Sequence, residues 1–307
     1  MERQQPLNFP ADFRNNISHY FGEKGAQWLL TLPVLIEEAA LTWELTLGEP
    51  MPLSINYVTA ARRADGTPVV LKIGVPHREL TSEMCAIRLF NGQGCAPMLV
   101  ADEEKGMFLL ERLLPGRMLE TWPDDDARTR VACDLAQRIQ RPAPAGLPLI
   151  RLEDWFAGLA GVREQFGGGS GPFPKDLFER VEALLPELFQ TSSPPVLMHG
   201  DLHHFNILSS GSGWLAIDPN GVIGPPEFES GPLLINPYPN FPYLPDAQRQ
   251  TSRRIAILSE QLGFPRQRIR DWGMCFAVLS AWWHTLPDGS GSEYSLAVAQ
   301  LIEKAEL

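Results

Sequence analysis

Between residues 196 and 221 the chain alternates so sharply between apolar and polar that its local course is almost dictated. The apolar run Val196 to Met198 stops at the polar octet His199-Gly200-Asp201-Leu202-His203-His204-Phe205-Asn206, and Ile207-Leu208 resumes the apolar pattern. Gly211-Ser212-Gly213 reads as a turn, Trp214 to Ile217 as a second short strand, and Asp218-Pro219-Asn220-Gly221 as its polar exit. A hairpin of this kind carries Asp201, Asn206 and Asp218 to one edge, and whatever else the chain forms has to support that edge.

The flanking sequence divides into two regimes. Phe13 to Leu47 has apolar residues at helical spacing, with Pro33 as the expected break between two helices. Ile55 to Arg63 and Pro68 to Gly74 read as strands joined through Asp65-Gly66, a strong hairpin signal. Lys72 lies in the second of them among apolar neighbours; taken alone, it reads as an edge or snorkelling lysine. Arg78 to Phe90 reads as a helix carrying Glu83, followed by strands at Met98 to Ala101 and Met107 to Leu113. Beyond Leu113-Leu114-Pro115-Gly116 the pattern turns helical: Asp124 to Gln140, Leu152 to Phe166, Lys175 to Phe189, Asp246 to Leu262, Arg266 to Leu286 and Tyr294 to Ala305. The expected class is α+β, with a small antiparallel sheet and its helices over residues 1–114 and a mainly helical part over 115–307.

Composition removes several functions. With 307 residues and 44% apolar content the chain can bury a full core. No uncharged apolar run is long enough to span a bilayer, and Met1 to Pro10 shows no apolar leader, so the expected location is cytoplasmic, with no membrane partner. A net charge of -11 argues against a nucleic-acid partner, which requires a basic footprint. The four cysteines, Cys85, Cys95, Cys133 and Cys275, lack the spacing of a zinc site or a disulfide framework. Gly167-Gly168-Gly169-Ser170-Gly171-Pro172 lacks the Gly-Lys-Ser/Thr ending of a phosphate-binding loop and reads as a mobile connection.

Two chemistries compete for the octet. His199, Asp201, His203 and His204 could ligate a transition metal, but in an extended stretch they do not all project to one face, and no second histidine cluster follows. Phosphoryl transfer uses more of the residues. It calls for a carboxylate to orient the attacking hydroxyl and accept its proton, an amide oxygen and a second carboxylate on Mg2+, and a lysine on the nucleotide phosphates. Asp201, Asn206, Asp218 and Lys72 meet those needs in turn.

The octet resembles the catalytic loop of the aminoglycoside phosphotransferase family, relatives of the protein kinases, and Asp218-Pro219-Asn220-Gly221 resembles its metal-binding motif. The five-residue interval from Asp201 to Asn206 equals the aspartate-to-asparagine interval of the protein-kinase loop. Thr67 to Lys72 is similar to the strand bearing the ATP lysine, Glu83 to its helix partner, and Glu111-Arg112-Leu113 to the hinge whose backbone faces adenine. The order of Gly48-Glu49-Pro50, Asp65-Gly66-Thr67-Pro68, Glu111-Arg112-Leu113, Ile217-Asp218-Pro219 and a Trp-rich C-terminal helix is similar to the branch of streptomycin 6-phosphotransferases and hydroxyurea phosphotransferases.

The resemblance implies a bilobal protein-kinase-like fold and Mg2+-assisted phosphorylation, by ATP, of a hydroxyl on a small-molecule substrate such as a cationic aminoglycoside. It implies Asp201 as the catalytic residue, Lys72, Glu83, Glu111 and Leu113 at the nucleotide, and Asn206 and Asp218 at the metal. The sequence departs from the pattern twice: no glycine stands at the tip of the nucleotide-covering turn between Gly48 and Tyr57, and Glu229 stands where the branch typically has a structural aspartate. One alternative is a nucleotide-binding module of the same fold with little catalysis, acting as a sensor or interaction module, with the glycine-poor turn as its support; the other is a small-molecule kinase for a non-antibiotic substrate.

Overall fold

The computed structural model describes residues 9–211 and 213–307. Residues 1–8, on which part of the Met1 to Pro10 reading rests, and Ser212 of the expected 211–213 turn lie outside the described residues. The chain begins with a long helix, α1 (Ala11–Thr42), followed by strands β1 (Leu45–Pro50), β2 (Asn56–Arg63) and β3 (Pro68–Gly74), helix α2 (Arg78–Phe90), and strands β4 (Met98–Asp102) and β5 (Met107–Glu111). The five strands form one antiparallel sheet in the order β1-β2-β3-β5-β4.

Alternation along β3 and β5 decides what the sheet separates. Val69, Leu71 and Ile73 of β3, with Met107 and Leu109 of β5, are buried against α1 through Phe13, Ile17, Trp28, Leu32, Ile36 and Ala39. Each such aliphatic or aromatic side chain contributes about 1.5–3 kcal/mol when fully buried. Phe108 and Leu110 point the other way, into a second and larger core that also takes Leu80, Met84, Ile87 and Phe90 of α2. Lys72 shares that second face. It lies on the central strand of the sheet and is only 4% exposed, so the edge or snorkelling reading does not hold.

Two further differences from the sequence reading have simple causes. The break in α1 falls at Gly22, with φ 56° and ψ -135°, and Pro33 sits inside continuous helix. Leu32, Ile36 and Ala39 bury one stripe on both sides of that proline, which holds the helix through the lost hydrogen bond. The helix also stops at Thr42, and the residues after it, expected to be helical, form β1 against β2.

The remainder contains β6 (Pro115–Met118), α3 (Asp125–Ile139), β7 (Arg141–Pro142), β8 (Ile150–Arg151), α4 (Leu152–Ala157), α5 (Ala160–Gln165) and α6 (Lys175–Thr191). It continues with β9 (Val196–Met198), β10 (Ile207–Ser210), β11 (Gly213–Ala216), β12 (Val222–Gly224), α7 (Ser230–Leu234), α8 (Ala247–Leu262), α9 (Arg266–His284) and α10 (Glu293–Glu303). The helix expected over Leu152 to Phe166 is interrupted at Gly158-Leu159, giving α4 and α5. Asp124 caps α3 by accepting from the Ala127 N–H. Among the described residues, no helix is long and apolar enough to cross a membrane.

Candidate active site

Two short sheets frame the octet. β9 pairs with β12, and β10 pairs with β11 and β6, so residues 199–206 and 217–221 form two loops that pass between the sheets. Backbone bonds stitch the loops together: the N–H groups of Asn220 and Gly221 donate to the His199 carbonyl, and the Ile217 N–H donates to the Asn206 carbonyl. Asp201, Asn206 and Asp218 are therefore set by paired backbone.

His199 is the internal strut. Its Nε2–H donates to the Ile217 carbonyl at 2.9 Å, and its Nδ1 accepts from the Asp201 N–H at 3.2 Å. Burial lowers its pKa to about 4, which keeps the ring neutral. Glu229, 3% exposed, supports the same loop from below by accepting from the His199 N–H at 2.7 Å and the Gly200 N–H at 3.0 Å. Burial raises its pKa to about 7 against the opposing pull of those donors. At this position glutamate does the loop-holding work expected of an aspartate.

Asp201 is held from two sides. The Asn206 Nδ2 donates to its backbone carbonyl at 3.1 Å and its Oδ2 at 3.2 Å, and the His203 Nε2 lies 3.4 Å from the same Oδ2. Burial works against its charge, yet the His203 imidazole and its hydrogen bond bring the pKa below the ordinary aspartate value. Asn206 spends its NH2 group on Asp201, so its amide oxygen is the end left for a cation. His204 is fully buried with both ring nitrogens unpartnered.

Across the cleft, Lys72 Nζ bonds Glu83 at 2.6 Å and also bonds the Asp218 carboxylate. Burial opposes the lysine charge, but the two carboxylates outweigh it and raise its pKa. The lysine depresses the pKa of Asp218, whereas burial pushes Glu83 up to about 7. The Asp218 side chain is 55% exposed and opens into the cleft. A feature with no signal in the sequence fixes this group: the Ser82 Oγ donates to the Gly221 carbonyl at 2.7 Å and accepts from the Ile150 N–H at 3.1 Å. A Cβ on Gly221 would lie 2.7 Å from the Ser82 carbonyl oxygen, so only glycine permits this approach of loop to helix.

Lys72, Glu83 and Asp218 close one end of a cavity of about 430 Å³. Val58, Val70, Ala96, Leu110, Leu208 and Ile217 form apolar walls, and Glu111 and Leu113 line the far end. The Glu111 N–H is used by the Pro97 carbonyl. Among the described residues there is no group of three or more His, Cys, Asp and Glu side chains that could hold a metal, which removes the transition-metal reading. Asn206 and Asp218 supply the sparse, hard oxygen set that suits Mg2+ shared with phosphates. Four acidic residues that could otherwise meet a cationic acceptor have protein partners: Asp154 pairs with Arg78, Glu227 accepts from Ser193, Glu229 holds the loop, and Asp271 accepts from Gln267.

The histidine strut gives a pH signature. A histidine whose folded pKa is depressed stabilises the fold above its unfolded value, about 6.5, and this contribution is lost as pH falls through about 4. Glu83 and Glu229, both raised, work in the opposite sense, so the whole-protein profile mixes signs. Subtracting an Asn variant isolates the histidine: the stability of wild type minus His199→Asn is expected to rise by up to about 3 kcal/mol from pH 4 to 6.5. Urea unfolding midpoints at those two pH values check this, and a constant difference would refute it.

Residues 48–288 match the profile of the aminoglycoside/hydroxyurea antibiotic resistance kinases. Streptomycin 6-kinase of Streptomyces glaucescens is 32% identical over 95% of both chains. Hydroxyurea phosphotransferase of Kitasatospora aureofaciens is 33% identical over 96% of this chain and 86% of its own. The fold is similar to choline kinase from Streptococcus pneumoniae, with TM-score 0.60 and 14% identity over 89% of this chain and 98% of that one. It is also similar to an aminoglycoside phosphotransferase solved with ADP and hygromycin B, with TM-score 0.57 and 14% identity over 88% and 99% of the respective chains. With its protein-kinase-like α+β fold, the chain belongs to the aminoglycoside/hydroxyurea antibiotic resistance kinase family and is a small-molecule phosphotransferase.

Proposed function

We propose that the chain transfers the terminal phosphoryl group of ATP to a hydroxyl of an aminoglycoside or a related small molecule, with Mg2+ as the metal. The observation that carries this reading is the convergence of Lys72, Glu83 and Asp218 on one end of an apolar cavity, with Asp201 held by Asn206 on the adjoining loop. The chain works as two lobes, residues 1–114 and 115–307. The adenine packs between Val58, Val70, Leu110 and Leu208, where the Glu111 carbonyl and the Leu113 N–H serve its edge. Lys72, aligned by Glu83, holds the α- and β-phosphates.

Asn206 and Asp218 would hold Mg2+, which supplies neutralisation of charge on the transferring group. Asp201, ionised at neutral pH, orients the acceptor hydroxyl and receives its proton. A bond forms between the acceptor oxygen and phosphorus, the bond from phosphorus to the β-phosphate oxygen breaks, and ADP leaves. His199 and Glu229 keep the loop that carries Asp201 in register.

The relatives named streptomycin 6-kinase and hydroxyurea phosphotransferase support this substrate class. Purified protein with ATP and Mg2+ is expected to phosphorylate at least one of streptomycin, other aminoglycosides and hydroxyurea, read by phosphorus NMR as a new phosphoester. Folded, ATP-binding protein that phosphorylates none of them would sink the proposal.

A further inference from the structure

The roof of the cavity, formed by Met51, Pro52 and Ser54, lacks the glycine that lets backbone amides approach phosphate closely. Between Gly48 and Tyr57 there is no glycine, the Met51 N–H is spent on the Val58 carbonyl, and Pro52 has no N–H to offer. Asn56, the first residue of β2, lines the cavity beneath that roof. Its Oδ1 is enclosed without a hydrogen-bond partner, which leaves the NH2 end of the amide for the cavity.

Register fixes which part of a nucleotide this amide meets. Along β3, Val69 pairs with Glu111 at the hinge end, Val70 with Leu110, and Lys72 with Phe108. On the other side Val58 pairs with Lys72 and Asn56 with Gly74. Asn56 thus lies on the face of Lys72 but about 7 Å further from the hinge, two residues along the strand. With the base at Leu113 and the first two phosphates at Lys72, the next group out is the terminal phosphate. Gly74 makes room for the amide: a Cβ there would stand 2.4 Å from Asn56 Oδ1.

We infer that Asn56 is a nucleotide-positioning residue whose side-chain N–H donates to the terminal phosphate of a nucleoside triphosphate, in place of the backbone amides of a glycine-rich turn. The inference rests on the ATP reading above. It makes discrimination between triphosphate and diphosphate a property of one side chain.

Calorimetric titration with AMP-PNP and with ADP, each with Mg2+, tests it on the full chain. Asn56→Ala is expected to weaken AMP-PNP by about tenfold and ADP by less than about threefold, because one hydrogen bond to a charged group is lost. Asn56→Asp, which places a carboxylate against the phosphate, is expected to weaken AMP-PNP further. Gly74→Ala, which leaves Asn56 in the chain but displaces its amide, is expected to reproduce the Ala pattern. Equal weakening of both nucleotides by Asn56→Ala, or of neither, overturns the assignment while leaving the ATP reading intact. A wild-type chain that binds neither nucleotide overturns both.

Discussion

Asp201→Asn is expected to lower kcat by about two to four orders of magnitude while leaving nucleotide and acceptor affinities within a few-fold of wild type. The substitution keeps the size of the side chain and retains an oxygen for Asn206 Nδ2, so the loop should stay in place. What disappears is the ionised oxygen proposed above to take the hydroxyl proton. Single-turnover measurements separate this loss from product release. A kcat within threefold of wild type would remove Asp201 from the chemistry.

The second large effect lies at Lys72. Lys72→Met leaves Glu83, whose side chain is 8% exposed, without its cation, and breaking a buried pair of this kind costs about 3–5 kcal/mol. The cost depends on pH. The Glu83 pKa, already about 7, rises further without the lysine, so the carboxyl is neutral in the folded variant while the unfolded chain ionises above about 4.5. Stability of the variant therefore declines as pH rises from about 4.5 through that raised pKa. The double variant Lys72→Met/Glu83→Leu is expected to recover most of the stability and none of the activity, since an apolar pair can replace a buried ion pair but cannot hold phosphate. Thermal unfolding at pH 5 and 8 with parallel turnover assays reads both effects. Equal destabilisation at the two pH values would contradict the assigned coupling.

Much of this arrangement can be read from the sequence, because it is set by short-range spacing. Asp201 and Asn206 lie five residues apart on one loop, and Asp218 follows one hairpin later, so local turns bring them together. Lys72 reads as a strand residue, and only taken alone as an edge one; its central place follows from the order of strands, which depends on long-range pairing that alternation alone does not specify. The same limit hid Ser82: a serine on a helix shows nothing of a carbonyl more than a hundred residues away. The helix boundaries failed for a different reason. Leu152, Phe156, Leu159 and Val162 are all buried across the Gly158-Leu159 interruption, so the apolar pattern shows one helix where the backbone makes two. In α1 the proline looked like the natural break, and side-chain burial on both sides of it kept the helix intact.

The hold of Ser82 on Gly221 and Ile150 ties the position of Glu83 to the loop that carries Asp218. Helix α2, which presents Glu83, contributes its apolar side to the larger core and is bolted to the metal-motif loop in the same turn that carries the glutamate. Any outward swing of α2 has to break both Ser82 bonds and expose that apolar side, so the glutamate and the loop move as one piece.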